Sequence, residues 1–551
     1  MTLAKRAGLL FFLAAAAFYL YGLGHLPFVG PDEPRYAQVA REMYLNHDMV
    51  TPTLGGHTWF EKPALLYWMM MASYQFFGVS EWAARLGPAL SGLLTALFIY
   101  WTGRRVERAH QAEEGESDNL GLWSGVAAAA SAGMIVFSRA ASFDVVVTMT
   151  MTGALSCFIV AEIETEEKRR KWLLAGFYAM VGASLLAKGL VGIIIPFGVV
   201  GLYYLLRREW PRKTVFKSAL WGIPLALAVA AIWYAPVIAR HGWTFVDEFF
   251  IQHHFARFVS NKYRHPQPFY FYLPIMLMLA LPWTAFLIAG LVKVKRMRWR
   301  EQTPESRFRV FALAWLIAPV AFFSFSGSKL PGYVLPALPG AMLLVGNALT
   351  RFVRGEEGNG AMRATGVLLL VLALAGIFYT ARTGDVTTAC ALLITAPLIL
   401  AGVLAIIWKH RRALRVELVC SAMFIAVALV LNCGVGRIAH RESVRDLMQL
   451  ANARGYAATP VFYMLTDDRT AEFYAGGRLG YRPDGEPLRF DGATQVANAA
   501  RERGGTALVL ISNEWAHRFT NYSAVETETI GQNGVLTLLA IRVREVGNSV
   551  E

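Results

Sequence analysis

The sequence predicts a mainly α-helical polytopic membrane protein, with about thirteen transmembrane helices and a small α/β domain at its C-terminal end. Three observations predict this class. Apolar stretches of about 17–25 residues, long enough to cross a bilayer as helices, recur almost to Ala439. Only 17% of the 551 residues are charged, against roughly 25% in soluble globular proteins. From about Gly436, short β-rich runs alternate with polar, helix-like stretches.

The formal charge of +14 at pH 7 first suggests an acidic partner such as nucleic acid. The Lys and Arg residues, however, cluster in short runs between apolar segments, for example at 104–108, 168–171 and 293–300. Basic residues concentrate in the cytoplasmic loops of membrane proteins. A membrane topology therefore accounts for the charge, and no nucleic-acid partner is predicted.

The basic runs also orient the spans. Lys5 and Arg6 precede the first span and place the N-terminus in the cytoplasm. The spans are predicted at 7–26, 82–102, 120–138, 145–161, 172–187, 190–206, 218–238, 269–292, 308–326, 334–352, 364–381, 388–408 and 416–434. Their odd number places the C-terminus on the opposite side, which is the periplasm if the membrane is a bacterial inner membrane.

Two domains follow from this topology. Residues 1–435 form a transmembrane domain with two periplasmic loops, at 27–63 and 239–268, and residues 436–551 form a soluble periplasmic α/β domain. The segment 64–78 is apolar but short, so we expect it to lie along the membrane surface.

The cysteines carry no recognisable site. All four fall in or at the end of apolar spans, without CxxC or Cys/His spacing, so neither a disulfide framework nor a thiolate zinc site is predicted. They are Cys157, Cys390, Cys420 and Cys433.

A mixed set of acids, cations and histidines falls at the outer membrane face of this topology. Charges near the hydrocarbon boundary are costly unless they are paired or solvated. A snorkelling side chain or a loop ion pair explains any single one, but acids and cations together at one face predict an active site. The set comprises Asp32, Glu33, Arg35, Glu61, Lys62, Asp144, Lys188, His253, His254, Arg257, His265 and Lys329.

The first outer loop holds the leading candidate. Asp32 lies between Pro31 and Glu33-Pro34, and prolines restrict both their own backbone and that of the preceding residue. Asp32 is therefore held in a rigid turn, either as the cap of a short surface helix or as a catalytic acid, and the two roles are compatible. Lys188 and Lys329 lie at the ends of predicted spans. A lysine ammonium is a compact positive charge that can neutralise the charge of a phosphate group.

These residues resemble, in the same order, the aminoarabinose transferases that modify lipid A. That family belongs to the GT-C superfamily of glycosyltransferases, which also includes protein O-mannosyltransferases. No single motif is specific, and the ordered set carries the resemblance. The matching motifs are Pro31-Asp32-Glu33-x-Arg35-Tyr36, Phe60-Glu61-Lys62-Pro63, Phe143-Asp144, Ala187-Lys188-Gly189, His254-x-x-Arg257-Phe258, His265 and Lys329-Leu330-Pro331-x-Tyr333.

The resemblance implies a GT-C fold and a polyprenyl-phosphate-sugar-dependent glycosyltransferase. Such an enzyme takes a sugar, here 4-amino-4-deoxy-L-arabinose, from undecaprenyl phosphate and passes it to an envelope acceptor, with lipid A first. The reaction lies at the periplasmic face of the inner membrane, and this lipid A modification is associated with polymyxin resistance. We expect the protein to be a monomer.

The resemblance also assigns roles to individual residues. The catalytic residues are Asp32, Asp144 and Glu61; the donor-phosphate ligands are Lys62, Arg35, Lys188, Arg257 and Lys329; the substrate cavity is lined by Tyr36, Tyr333 and Glu33. The chemistry is expected to require no cofactor. The family also allows a zinc or other divalent ion on Glu61 with His254 or His265, although a carboxylate and one imidazole make an incomplete zinc site.

Two alternatives stay open. One is a GT-C transferase that glycosylates a protein or another envelope lipid, because nothing in residues 436–551 identifies lipid A as the acceptor. The other is a lipid or sugar transporter. Transporters place their charges near the bilayer midplane, often within inverted repeats, whereas here the charges crowd one surface and no repeat is visible.

The central role of Asp32 is testable. We expect Asp32→Asn to abolish sugar transfer without lowering the amount of protein in the membrane, because the amide keeps the shape but loses the base. Turnover near that of the wild type in a labelled-donor assay would remove Asp32 from this role.

Overall fold

A computed structural model describes residues 3–114, 119–256, 267–296, 299–520 and 522–544. The chain is mainly helical and divides into two compact units, each assembled from separate segments of sequence. The first unit comprises Met1–Leu23, Phe60–Met69 and Arg85–Val430, and the second comprises Gly24–Trp59, Met70–Ala84 and Leu431–Glu551. Most of the predicted first outer loop thus belongs to the same unit as the C-terminal residues.

Long apolar helices dominate the chain up to residue 430. Eight helices in the described ranges have the length and composition of a membrane span, or ten if each of two bent pairs counts as one span. The protein is therefore a multi-pass membrane protein. The α-helices are Leu3–Leu20, Asp32–Leu45, Leu65–Phe77, Glu81–Glu114, Leu120–Ala130, Ala132–Ser138, Phe143–Ile163, Glu167–Lys188, Val191–Arg207, Lys213–Val246, Tyr272–Leu279, Thr284–Val292, Pro304–Ser324, Leu338–Arg354, Gly360–Thr383, Thr388–Ile407 and Arg412–Leu429. Shorter 3-10 and π segments are Asp247–Ala256, Phe269–Phe271, Lys293–Arg296, Pro331–Ala337 and Val430–Gly434.

The difference from the thirteen predicted crossings has a simple origin. Gly8–Leu20 and Val191–Arg207 are apolar but shorter than a full span, and Glu167–Lys188 begins with a strongly charged turn. These three helices fall below the length or hydropathy of an unambiguous span.

Two predicted spans are sharply bent. Leu120–Ala130 and Ala132–Ser138 meet at 55°, and Phe269–Leu279 and Thr284–Val292 meet at 119°. Pro282 lies in the second break, where a proline ring and its missing N–H interrupt a helix. The amide of Ala132, freed at the first break, donates to the carbonyl of Leu281 at 2.7 Å. Each break thus helps to satisfy the backbone of the other, as an apolar environment demands.

The segment 239–268, expected as a loop, is helical up to Ala256. Its aromatic residues pack onto the preceding helix: Phe245 and Phe249 make edge contacts with Trp233 at 5.4 and 6.0 Å between ring centroids. Burial of these aromatic rings stabilises a helical conformation in a segment whose polar residues indicated a loop.

A five-stranded mixed sheet forms the centre of the second unit. Its strands lie in the order β4 (Arg489–Phe490), β3 (Val461–Met464), β5 (Thr506–Ser512), β7 (Leu536–Val543) and β6 (Val525–Gln532). β3 pairs in parallel with β4 and β5, whereas β7 pairs antiparallel with β5 and β6. The strands are β1 (Thr53–Leu54), β2 (His57–Thr58), β3 (Val461–Met464), β4 (Arg489–Phe490), β5 (Thr506–Ser512), β6 (Val525–Gln532) and β7 (Leu536–Val543). The helices around them are Gly436–Arg441, Arg445–Ala453, Thr470–Tyr474, Ala493–Arg501 and His517–Thr520.

Alternation along β5 divides the apolar core of this unit in two. Leu508 and Leu510 pack in one cluster with residues of the helix Arg445–Ala453. Val509 and Ile511 pack in the other cluster with residues of the helix Ala493–Arg501. Because successive strand residues point to opposite faces, the sheet carries a helix on each side.

The helix Asp32–Leu45 joins this unit through its charged and aromatic contacts. Arg35 forms an ion pair with Glu472 at 3.5 Å, and Arg41 lies over the ring of Phe473. Glu472 is fully buried, and Arg35 together with Arg469, at 2.8 Å, compensates a charge that would otherwise be costly.

A buried ion pair links two helices of the first unit. Arg307 lies 3.2 Å from Glu162, whose side chain is only 1% exposed. The hydroxyl of Tyr204 also donates to this carboxylate at 2.8 Å. Removing one partner of a buried pair leaves the other charge uncompensated, whereas removing both is far less costly.

We therefore expect Arg307→Met to destabilise the protein by about 3–5 kcal/mol, and the double variant Glu162→Gln/Arg307→Met to recover part of that loss. Thermal unfolding of the purified protein in detergent measures both. The control is Lys171→Met, which removes an exposed pair with Glu167 and should change stability by less than about 1 kcal/mol. Equal melting temperatures for Arg307→Met and Lys171→Met would contradict the expectation.

Candidate active site

Asp144 occupies the first turn of the helix Phe143–Ile163. Ser142 caps this helix by accepting a hydrogen bond from the Asp144 amide at 3.1 Å. A carboxylate in the first turn is favoured by the positive end of the helix dipole. The local sequence Ser142-Phe143-Asp144 therefore both starts the helix and fixes the position of the acid.

Lys188 ends the helix Glu167–Lys188 and forms an ion pair with Asp144. Gly189 follows with φ 67°, a backbone conformation that favours glycine and ends the helix. The two charged side chains are mostly buried, at 16% and 19% exposed. An acid at a helix start thus meets a cation at a helix end, and each also complements its own helix dipole.

The 3-10 segment Pro331–Ala337 completes this group. The ring of Tyr333 lies 4.7 Å from the Lys188 ammonium, within the range of a cation–π contact. A β-carbon at Gly332 would overlap the Asp144 carboxylate and the Phe137 ring. Glycine at 332 is therefore what allows this segment to lie against the acid.

Lys329 is a buried cation held by neutral groups. Its ammonium donates to the carbonyls of Ser326 at 2.7 Å and Gln267 at 3.1 Å, and the residue is only 7% exposed. No carboxylate within the described part of the chain pairs with it. A buried charge without a counter-ion is costly, so this position favours an anionic ligand.

Glu61 and Lys62 pair with each other at 2.8 Å, and both side chains are 13% exposed. The preceding Phe60 makes edge contacts with His241 at 5.0 Å and Phe245 at 5.1 Å. This aromatic contact fixes the pair to the helix Lys213–Val246 within the first unit.

The remaining predicted residues of the loop lie in the second unit. Asp32 is exposed and begins the helix Asp32–Leu45, whose N-cap is Pro31, so Asp32 is not itself the cap. Glu33 is half-buried and Tyr36 is buried. Arg35 lies 5.0 Å from the Trp59 ring, in addition to its ion pair with Glu472.

Three of the predicted site residues are not described by the structure, or are described without their side chains. Arg257 and His265 lie outside the described residues, as does the side chain of His254. Among the residues that are described, no three His, Cys, Asp or Glu side chains come together as metal ligands. The carboxylate of Glu61 instead faces the Lys62 ammonium, so the zinc site stays a prediction.

Some contributors were not predicted from the sequence. Ser142 and Gly332 are not among the predicted site residues, yet they position Asp144. The Ser-x-Asp pattern at a helix start is a usable capping signal. Nothing in the sequence links Glu472 to Arg35, because no local spacing connects positions so far apart.

Comparison with known proteins gives this geometry a context. Residues 6–298, just over half of the chain, match the family described as dolichyl-phosphate-mannose-protein mannosyltransferase. Two relatives are named undecaprenyl phosphate-alpha-4-amino-4-deoxy-L-arabinose arabinosyl transferase. The one from Erwinia tasmaniensis is 32% identical over 66% of this chain, and the one from Pseudomonas aeruginosa strain UCBPP-PA14 is 33% identical over 67%. The matches span 62% and 65% of those relatives, less than two thirds of their length.

Solved structures share the fold. The crystal structure of ArnT from Cupriavidus metallidurans bound to undecaprenyl phosphate has a TM-score of 0.78 at 22% identity and covers 97% of both chains. The Archaeoglobus fulgidus oligosaccharyltransferase has a TM-score of 0.50 at 13% identity and covers 92% of this chain and 70% of its own. The predicted resemblance is confirmed for fold and family, and the chain belongs to the dolichyl-phosphate-mannose-protein mannosyltransferase family.

Proposed function

We propose that this protein transfers 4-amino-4-deoxy-L-arabinose from undecaprenyl phosphate to lipid A at the periplasmic face of the bacterial inner membrane. The family and the names of the arabinosyl transferase relatives support a polyprenyl-phosphate sugar donor. The fold shared with an ArnT structure that carries undecaprenyl phosphate supports the same donor.

The observation that carries the proposal is the placement of two lysines in the first unit. Lys188 shares its charge with Asp144 and the Tyr333 ring, and Lys329 has only carbonyl partners within the described part of the chain. An ammonium has three N–H donors, so each lysine retains capacity to donate to a phosphate oxygen. Transporters place their substrate sites near the bilayer midplane, whereas these cations lie at helix ends, where they can neutralise the charge of a departing phosphate.

The reaction is a displacement at the anomeric carbon of the sugar. The acceptor oxygen forms the new bond while the bond to the polyprenyl phosphate oxygen breaks, and the electron pair leaves with the phosphate. Lys188 and Lys329 neutralise that charge as it develops, with Lys62, Arg35 and Arg257 as the further proposed phosphate ligands. Tyr36, Tyr333 and Glu33 shape the cavity.

The acids are proposed to act on the acceptor. If the nucleophile is a hydroxyl, Asp32 takes its proton as the bond forms; if it is an ionised phosphate, Asp32 orients it. Asp144 holds Lys188 in place through their ion pair. Glu61 positions Lys62 in the same way.

The proposed chemistry requires no resident metal or organic cofactor. A divalent ion on Glu61 with His254 or His265 stays the alternative.

We propose a monomer with thirteen crossings, a periplasmic C-terminus and a periplasmic α/β domain within residues 436–551. Adding Gly8–Leu20, Val191–Arg207 and Glu167–Lys188 to the two bent pairs and the eight long helices gives thirteen. The expectation that no disulfide forms is wrong for Cys390, which is disulfide-bonded. It lies at the predicted outer end of its helix, and disulfides persist in oxidising compartments such as the periplasm.

A protein acceptor is the second candidate, because the matching family is described by protein mannosylation. Mass spectrometry of lipid A and of envelope proteins, with and without the gene, separates the two. We expect the added aminopentose on lipid A, and the purified protein with labelled donor and lipid A to reproduce it. Label found only on protein would favour the second candidate, and transport of the donor without a new covalent bond would exclude both.

The lysine pair gives a sharper test. We expect Lys188→Met to lower the transfer rate at least about 100-fold, because one charge-stabilising donor is lost where charge develops. Steady-state kinetics with labelled donor measures the rate, and a thermal melt checks folding. The matched control is Lys293→Met, which removes a half-exposed lysine paired with Glu357. A folded Lys188→Met protein with the same rate as Lys293→Met would contradict the role.

A further inference from the structure

A polar cleft of about 530 Å³ lies within the second unit, apart from the residues assigned above to the donor phosphate. One wall is the C-terminal half of the helix Asp32–Leu45 and the turn between β1 and β2. The other wall is a glycine-rich stretch, 476–481, together with Arg503. A cavity of this size accommodates a small polar ligand such as a sugar.

Three guanidinium groups line this cleft, and none of them pairs with a carboxylate of the described residues. Arg41 has a long hydrogen bond of 3.4 Å to the Phe473 carbonyl. Arg478 donates to the carbonyls of Ala475 and Tyr456 and to the side-chain oxygen of Asn452, all of them neutral acceptors. Arg503 is exposed and stacks 5.1 Å from the ring of Phe462. The cleft therefore collects positive charge that the protein itself does not neutralise.

The one acid of the lining is already engaged. Glu42 accepts hydrogen bonds from the amides of Gly55 at 2.8 Å and Gly56 at 3.2 Å, and from the Thr53 hydroxyl at 2.8 Å. Gln38 donates to it as well, at 3.0 Å. These contacts hold the β1–β2 turn in place, so Glu42 stabilises the wall of the cleft, and the three arginines outnumber this single carboxylate.

Two further observations point to a ligand. The pKa of Arg478 is lowered by its burial and by the positive charge of Arg41, so an anion between them would relieve the repulsion. Gln38 is only 3% exposed, and its carboxamide oxygen has no hydrogen-bond partner among the described residues. A buried acceptor without a donor is uncommon, and a ligand hydroxyl would satisfy it.

We propose that this cleft binds a phosphorylated sugar, with Arg41, Arg478 and Arg503 around the phosphate and Gln38 on a sugar hydroxyl. Guanidinium groups match phosphate oxygens with paired, charge-assisted hydrogen bonds. Glycines 476 and 477, with φ of 65° and 85°, give the wall a backbone without side chains, which leaves room for the ligand. The origin of the ligand rests on the proposed function, under which the ligand is the phosphorylated sugar headgroup of the envelope acceptor.

The test measures equilibrium binding to the full-length protein in nanodiscs, without donor and therefore without turnover. The soluble probe is glucosamine 1-phosphate. Glucosamine is the comparison that lacks the phosphate, and glucuronate is the comparison that carries a carboxylate instead. The lipid probe is lipid A in the nanodisc, intact or dephosphorylated. The variants are Arg41→Gln and Arg503→Gln, and the matched control is Arg501→Gln, an exposed arginine two positions away that bonds to Asn498.

We expect glucosamine 1-phosphate to bind, glucosamine not to bind, and each cleft variant to weaken binding about tenfold, with Arg501→Gln unchanged. If intact but not dephosphorylated lipid A competes with glucosamine 1-phosphate, the natural ligand is the lipid headgroup. If neither lipid competes, the natural ligand is a soluble sugar phosphate. Equal binding by the cleft variants and Arg501→Gln, or tighter binding of glucuronate, overturns the inference. Transfer assays on the wild-type protein keep the two proposals separate: intact sugar transfer without binding of glucosamine 1-phosphate refutes only the cleft.

Discussion

The ion pair between Asp144 and Lys188 is the interaction on which the first unit's site depends. Three separate stretches of chain meet there: a helix start, a helix end and the 3-10 segment that carries Gly332 and Tyr333. Helix ends leave backbone groups unsatisfied and carry partial charge, so acids and cations are stabilised there even beside hydrocarbon. Charged side chains are therefore accommodated with little loss of stability at the ends of the membrane helices.

The same logic explains why lysines recur. Lys188 has one carboxylate and one aromatic face as neighbours, and Lys329 has two carbonyls. Lys329 has no carboxylate partner within the described part of the chain, and Lys188 has a single one, so both ammonium groups keep N–H donors for a phosphate. Arg307 instead belongs to a buried network in which Glu162 and Gln302 accept its hydrogen bonds. That contrast distinguishes a site from a structural ion pair more clearly than charge alone.

The sequence predicted the helical membrane architecture, the family and short β-rich runs after Gly436, because these depend on local apolar patterns. It also placed Asp144 and Lys188 at one face and named Tyr333 as a cavity residue, and the structure brings those three into contact. It did not predict the bends at Ser131 and Pro282 as breaks within spans, nor the helix that continues through 239–256. Those features depend on contacts between distant segments, such as the hydrogen bond from Ala132 to Leu281. The partnership of Arg35 with Glu472 belongs to the same class.

The discontinuous make-up of the second unit has a consequence for biosynthesis. Arg41 and Phe473 are 432 positions apart, so the loop helix leaves the ribosome roughly 20 to 90 seconds before its partner is translated. During that interval Arg35 and Arg41 lack Glu472 and Phe473, their partners in the finished unit. Every membrane helix up to residue 429 is made before the loop finds its final contacts. The unit therefore cannot mature during synthesis of the N-terminal half, and a chain that stops before residue 470 would carry the loop without the surface it folds against.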